Sequence, residues 1–120
     1  MKSNYKIIPD KQLIFETLSN NISPNEYTIL KRAEFKDKKF NRNFNLVTDL
    51  SNVETNVAVK VEELYVIFKE NKGKFIRNKS AIVSSPNLKK IVDAIIKHDK
   101  KIVKEIKTFT KLEDAKNWMS

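Results

Sequence analysis

The tetrad Ser84-Ser85-Pro86-Asn87 holds the residue types best suited to grip an anion. Two hydroxyls and an amide stand where a helix would begin, at the positive end of its dipole, among free backbone N–H groups. The same residues also make an ordinary N-cap, since serine satisfies orphan N–H groups and proline is tolerated at the first helical position. Asp49 closes an apolar run ahead of Leu50-Ser51-Asn52 and is the candidate carboxylate for acid–base work. No second carboxylate, histidine or lysine stands at a spacing that would pair with it, so the expectation is a bond to neighbouring loop amides. His98 follows Lys97 near a helix end and is expected to serve the helix dipole rather than a reaction. Ser51, Ser84 and Ser85 lack an accompanying base and a Gly-x-Ser-x-Gly elbow, which leaves them without the means to act as nucleophiles.

Absences narrow the chemistry further. The 120 residues include no cysteine, one histidine and one glycine. Disulfides, thiolate metal sites and thiol catalysis are thereby excluded, a transition-metal site is short of imidazoles, and no glycine-rich phosphate loop can be built. No cofactor is expected. The N-terminal stretch has a basic start but no adequate apolar region before Asp10, so a secretory signal is not expected, and no run approaches the ~20 apolar residues of a membrane span. The expected setting is cytoplasmic.

The formal net charge of +9 raises the question of an anionic partner. Residues 1–60 carry 10 basic and 7 acidic groups, a balance of +3, and residues 61–120 carry 14 and 8, a balance of +6. Lys89, Lys90, Lys97, Lys100, Lys101 and Lys104 form the densest cluster, a candidate basic face for a phosphate backbone or an anionic headgroup. Asp93, Asp99 and Glu105 interrupt it, as on a mixed solvated surface. Only three of the basic residues are arginine, the side chain preferred for forked phosphate contacts, which favours a solvated lysine surface over nucleic-acid readout.

The elements that must position these residues are punctuated clearly. Tyr5 to Ile8 reads as a strand, Pro9 to Gln12 as a turn, and 13–18 as the second arm of a hairpin. Ser23 with Glu26 forms a capping box ahead of a helix that decays around 37–39. Phe40 and Phe44 flank a polar connector and are expected to fold back over the core. A strand over 45–50, a loop over 53–58 and a helix over 60–70 follow, with Val61, Leu64, Tyr65 and Phe68 on one face and Gly73 as its stop signal. The strand 79–84 is apolar enough to be buried on both faces. Ser85 then caps a helix to about residue 100, 102–109 forms the last strand, and Thr110 caps a terminal helix that turns Leu112, Ala115 and Trp118 inward. The order ββαβαβαβα predicts one α/β domain, a five-stranded mostly parallel sheet with an antiparallel first strand and about four helices.

In this order the segment Phe44-Asn45-Leu46-Val47-Thr48-Asp49-Leu50-Ser51-Asn52-Val53 resembles the strand-to-loop segment of SpoIIAA-like proteins of the STAS/CRAL-TRIO superfamily. Lys79-Ser80-Ala81-Ile82-Val83, the ending from Phe109 to Trp118, and the opening hairpin with the capped helix holding Glu26-Tyr27 resemble matching parts of its small stand-alone members. The resemblance spans nearly the whole chain and implies an α/β layer structure with one antiparallel strand and a non-enzymatic role. Sporulation-type members carry a phosphorylatable serine in an Asp-Ser-Ser-Gly segment opening the helix after the central strand. Here that segment falls on Val57-Ala58-Val59-Lys60, which has no hydroxyl and no glycine, so the phosphoserine switch is missing from its place.

The resulting expectation is a non-catalytic STAS-like module acting through protein–protein contacts, with a protein partner or a second copy of itself. The alternative is a small anionic ligand or lipid headgroup held at the strand carboxyl edge by Ser84, Ser85 and Asn87 with Asp49 and Ser51. Nucleic-acid binding by the lysine-rich face ranks after both. The core's demand for aromatics leaves little room for an enclosed lipid pocket.

Overall fold

The computed structural model describes residues 3–20, 22–53, 58–72, 79–97 and 106–119. In chain order these form β1 (Asn4–Ile8), a 3₁₀ turn (Pro9–Lys11), β2 (Leu13–Thr17), α1 (Pro24–Lys36), β3 (Asn45–Asp49), α2 (Ala58–Lys72), β4 (Ser80–Val83), α3 (Pro86–Lys97), β5 (Ile106–Phe109) and α4 (Leu112–Met119). The sheet runs β1-β2-β3-β4-β5, with β1 antiparallel to β2 and every other pair parallel. This is the α/β architecture that the alternation of strand and helix predicts.

Local chemistry explains the boundaries. Gln12 closes the hairpin in the left-handed region (φ 52°), its N–H donating to the Pro9 carbonyl at 3.0 Å. The Gln12 carbonyl accepts from Asn45 N–H at 2.9 Å, which fastens the hairpin to the start of β3. Ser23 Oγ accepts the Glu26 N–H at 3.1 Å, and Ser85 Oγ accepts the Leu88 N–H at 3.3 Å, so both Ser-Pro junctions cap helices as expected. Phe44 is buried, and Phe40 packs edge-on against Phe35 with ring centroids 4.9 Å apart, closing over the core.

Strands β1 to β4 keep within one residue of expectation at each end, and the helices α2 and α4 differ more instructively. Helix α2 starts at Ala58 and runs to Lys72, longer at both ends than the apolar stripe alone suggests. The expected Gly73 stop and residues 54–57 of the expected loop lie outside the described residues. Helix α4 begins at Leu112, so the residue before it is Lys111, whose carbonyl accepts from Ala115 N–H. Thr110 therefore stands one position outside the expected cap, because the phase that puts Leu112 and Ala115 against the sheet fixes where the helix starts. Helix α3 is described to Lys97 and β5 from Ile106; the rest of both predicted spans lies outside the described residues.

Because parallel neighbours follow chain order, each crossover steps the same way, and connections of one hand place their helices on one face. Tyr27 of α1, Val61, Leu64 and Phe68 of α2, and Leu88, Val92 and Ile96 of α3 accordingly share one core with Ile14, Leu46, Ile82 and Ile106 of the sheet. Alternation sends Leu13, Val47, Ala81 and Val83 to the opposite face, where they meet Ala115 of α4 with Phe109, Leu112 and Trp118. All four residues of β4 are buried, with Ile82 in the core beneath α1, α2 and α3 and Ala81 and Val83 in the one beneath α4. Among the described residues, three helices cover one face and one eight-residue helix the other.

Candidate functional site

The parallel strands end together: Leu18 N–H donates to the Asp49 carbonyl, Leu50 N–H to that of Val83, and Ser84 N–H to that of Phe109. Asp49, Ser51, Ser84, Ser85 and Asn87 thus gather at one edge of the sheet. Their polar atoms have local work. Asp49 Oδ1 accepts from Ser51 N–H at 2.9 Å, the loop-amide bond expected of a strand-end aspartate. Ser84 is buried with its hydroxyl donating to the Ser85 carbonyl at 3.3 Å, and Ser85 Oγ is occupied by the Leu88 cap. Asn87 is exposed.

Within the candidate basic face, Lys89 pairs with Asp93 along α3 at 2.8 Å, and Asp93 also accepts from the Thr108 hydroxyl of β5. Lys90 sits beside Glu62 in a shallow hollow between α2 and α3, and Lys97 is exposed at the end of α3. Lys100, Lys101 and Lys104, like His98, lie outside the described residues. Among the described residues no three histidine or acidic side chains converge as a metal site.

The densest polar constellation is one that sequence reasoning missed. Glu16 of β2 and Lys31 and Glu34 of α1 are each no more than 1% exposed, inside the main core. Lys31 Nζ lies 2.7 Å from Glu16 Oε2 and 3.0 Å from Glu34 Oε1, and stands 5.8 Å and 5.6 Å from the ring centres of Tyr27 and Phe35. Glu16 Oε1 accepts from the Tyr27 hydroxyl at 3.1 Å and from Thr48 Oγ1 at 2.9 Å. Donors therefore surround Glu16. Burial alone would raise its carboxyl, but the Lys31 charge and the hydrogen bonds from Glu34, Lys31 and Thr48 hold it below the ordinary carboxylate value. Glu34 accepts from Lys31 and hydrogen-bonds with the Glu16 carboxylate, and its Oε2 is buried without a hydrogen-bond partner. Burial first, and then the neighbouring Glu16 carboxylate, push Glu34 up to about 10, so it keeps its proton at neutral pH. Burial opposes the Lys31 charge, yet the two glutamates raise it above its usual value, and burial followed by Glu16 raises Tyr27 well above 10. The constellation is a sealed clamp of β2 to α1, closed to any substrate. The signal for it was phase: Ile14-Glu16-Leu18 puts a carboxylate on the apolar side of its strand, and Tyr27, Lys31 and Glu34 share one helical face.

The opposite face of the sheet is incomplete. Helix α4 packs on β3, β4 and β5 and leaves the β1–β2 side open. Between its flank and the amino-terminal halves of β2 and β3 runs a groove of about 570 Å³, floored by Leu13, Phe15 and Val47 and walled by Leu112 and Met119. Lys11 from the hairpin turn and Lys116 from α4 stand at its rim, both exposed, and no acidic residue lines it among the described residues. Lys6 pairs in register with Phe15 and so points to the same face. The main core, by contrast, retains a void of only about 40 Å³ beside Tyr27 and Thr48.

The fold and these sites define an α/β protein with a mixed five-stranded sheet, a sealed charged clamp on one face and an open basic-rimmed groove on the other. Compared with protein-family models, curated proteins and solved structures, the chain matches none.

Proposed function

We propose that this protein is a non-catalytic STAS-like binding module, without the phosphoserine switch, that acts through protein–protein contacts made on the half-covered face of the sheet. The single observation that carries the reading is the groove beside α4: the large apolar side chains of Phe15 and Met119 are only half-buried there, whereas the other face has three helices among the described residues. Exposed apolar surface rimmed by polar groups marks an interaction site. The antiparallel first strand followed by four parallel ones is the layer structure that the STAS resemblance implies. Two further features support a binding role over a catalytic one. The titratable cluster is shut inside the core, and at the strand carboxyl edge the Ser85 hydroxyl caps α3 while that of Ser84 is bound to the Ser85 carbonyl. A cytoplasmic setting belongs to the same proposal.

The test is site-specific photocrosslinking in cells that make the protein. A p-benzoylphenylalanine replacing Phe15 should yield discrete protein adducts on illumination. The same probe replacing Ile29, which is 56% exposed on α1, supplies the background. Adducts at position 15 no different from those at position 29 would remove the contact reading.

A further inference from the structure

We infer that the groove receives an acidic amphipathic helix of a partner protein, about three turns long, laid beside α4; this deepens the binding reading above and rests on it. Dimensions come first. Strands lie roughly 4.8 Å apart, so the two-strand breadth left open over β1 and β2 is roughly 10 Å, the diameter of one helix with its side chains. Five-residue strands extend roughly 17 Å, which matches about 11 helical residues at 1.5 Å each. A helix seated there would stand at ordinary helix–helix spacing from α4 and complete the second layer as α1, α2 and α3 complete the first.

The chemistry of the walls selects among occupants. A strand cannot enter, because β2 already pairs with both β1 and β3 and offers no unpaired edge to the groove. The groove is open along its top, so a lone acyl chain lying in it would keep one side in water. A helix places apolar residues at i, i+3, i+4 and i+7 onto the half-buried Ile8, Phe15, Leu112 and Met119, above the buried Leu13 and Val47, and leaves its other face solvated. Lys11 and Lys116 line this groove, Lys6 stands on the same face beside it, and no acid lines it among the described residues, which asks for carboxylates on the flanks of the incoming helix.

The experiment analyses the adducts at position 15 by tandem mass spectrometry and repeats the crosslinking with Lys11→Glu and Lys116→Glu combined. Both lysines are exposed, so the doubly reversed protein keeps its fold. The expected attachment point lies in a partner segment of net negative charge with apolar residues at helical spacing, and the double reversal lowers its yield about tenfold. Attachment to a basic or extended segment, to a second copy of this chain, or to a lipid would overturn the helix inference. So would a yield unchanged by the charge reversal. In each of the protein-adduct cases the broader contact reading survives, whereas the absence of any position-specific protein adduct removes both.

Discussion

Glu34→Gln is the substitution that reads the buried clamp most directly. Glutamine keeps the side chain's shape and the oxygen that accepts from Lys31 at 3.0 Å, but it cannot ionise, so it imitates the protonated carboxyl. Burial and the Glu16 carboxylate raise Glu34 from an ordinary 4.5 to about 10. A group raised on folding stabilises fully below its unfolded value, and that contribution is lost as pH climbs through its folded value. Across this window the folded chain retains a proton that the unfolded chain has released, so stability falls by about 1.4 kcal/mol per pH unit. Neutral pH lies about 2.5 above the ordinary value, which sets an upper limit of about 3 kcal/mol on what the substitution gains at pH 7. Glu16 acts in the opposite sense: its lowered value contributes above 4.5 and is lost as pH falls through the folded value. Lys31 contributes until pH rises through its folded value above 10.5. Glu34 contributes to both of these shifts, but each is lost outside the range between about pH 5 and about pH 9 in which the Glu34 effect is read, so the slope of the comparison there belongs to Glu34. Urea unfolding followed by circular dichroism from about pH 5 to about pH 9 should show wild-type midpoints falling while those of the variant hold level. Parallel pH profiles, or a variant less stable than wild type under alkaline conditions, would refute the reasoning, because Glu34 would then be an ionised partner of Lys31.

Other substitutions test the remaining parts of the structure by the same unfolding assay. Lys31→Met strands the Glu16 carboxylate in the core and should cost about 3–5 kcal/mol, and adding Glu16→Gln should recover part of the loss rather than deepen it. Thr48→Val removes one of the hydroxyls that hold the Glu16 anion and should cost about 1–3 kcal/mol, with acid unfolding moved to higher pH. Ser23→Ala deletes the cap on Glu26 N–H and should cost about 1 kcal/mol at every pH. Ile14→Ala, in the closed core, should cost about 2–5 kcal/mol, whereas Phe15→Ala, one residue along and over the open groove, should cost clearly less despite the larger side chain. Equal losses at the two positions would mean that the groove is closed.

The fold was largely legible because its punctuation is local. Ser23-Pro24 and Ser85-Pro86 announce helix starts by chemistry contained within four residues, and both caps form. The apolar run through Ala81-Ile82-Val83 announces a strand covered on both sides, and every residue of β4 is buried. Strand order was less accessible, since periodicity fixes which face of each element is apolar but not which strand lies beside which. The clamp escaped for a related reason. Glu16 and Lys31 are 15 residues apart, and only the packing of α1 on β2 brings their charges within 2.7 Å. Each looks like a solvated residue until its phase is compared with that of its apolar neighbours. Asp49 and Ser84 do stand at the strand ends, but the Asp49 carboxylate and the Ser84 hydroxyl are consumed by the turns that build that edge.

The two faces of the sheet make different demands on specificity. On the covered face, a charge cluster costs desolvation that a purely apolar interface would avoid, and its three converging hydrogen bonds on Glu16 permit only one seating of α1 on β2. A half-satisfied cluster would be worse than none, so any slip of the helix by a turn is penalised by a buried charge. That constraint bears on the other face, because β2 is shared: Ile14 and Glu16 point into the clamp while Leu13 and Phe15 form the floor of the groove. Fixing α1 against β2 therefore fixes the position of the groove floor as well. A recognition surface built on two strands beside a single short helix has little packing of its own to hold it, and the buried cluster behind it supplies the rigidity that a precise apolar contact requires.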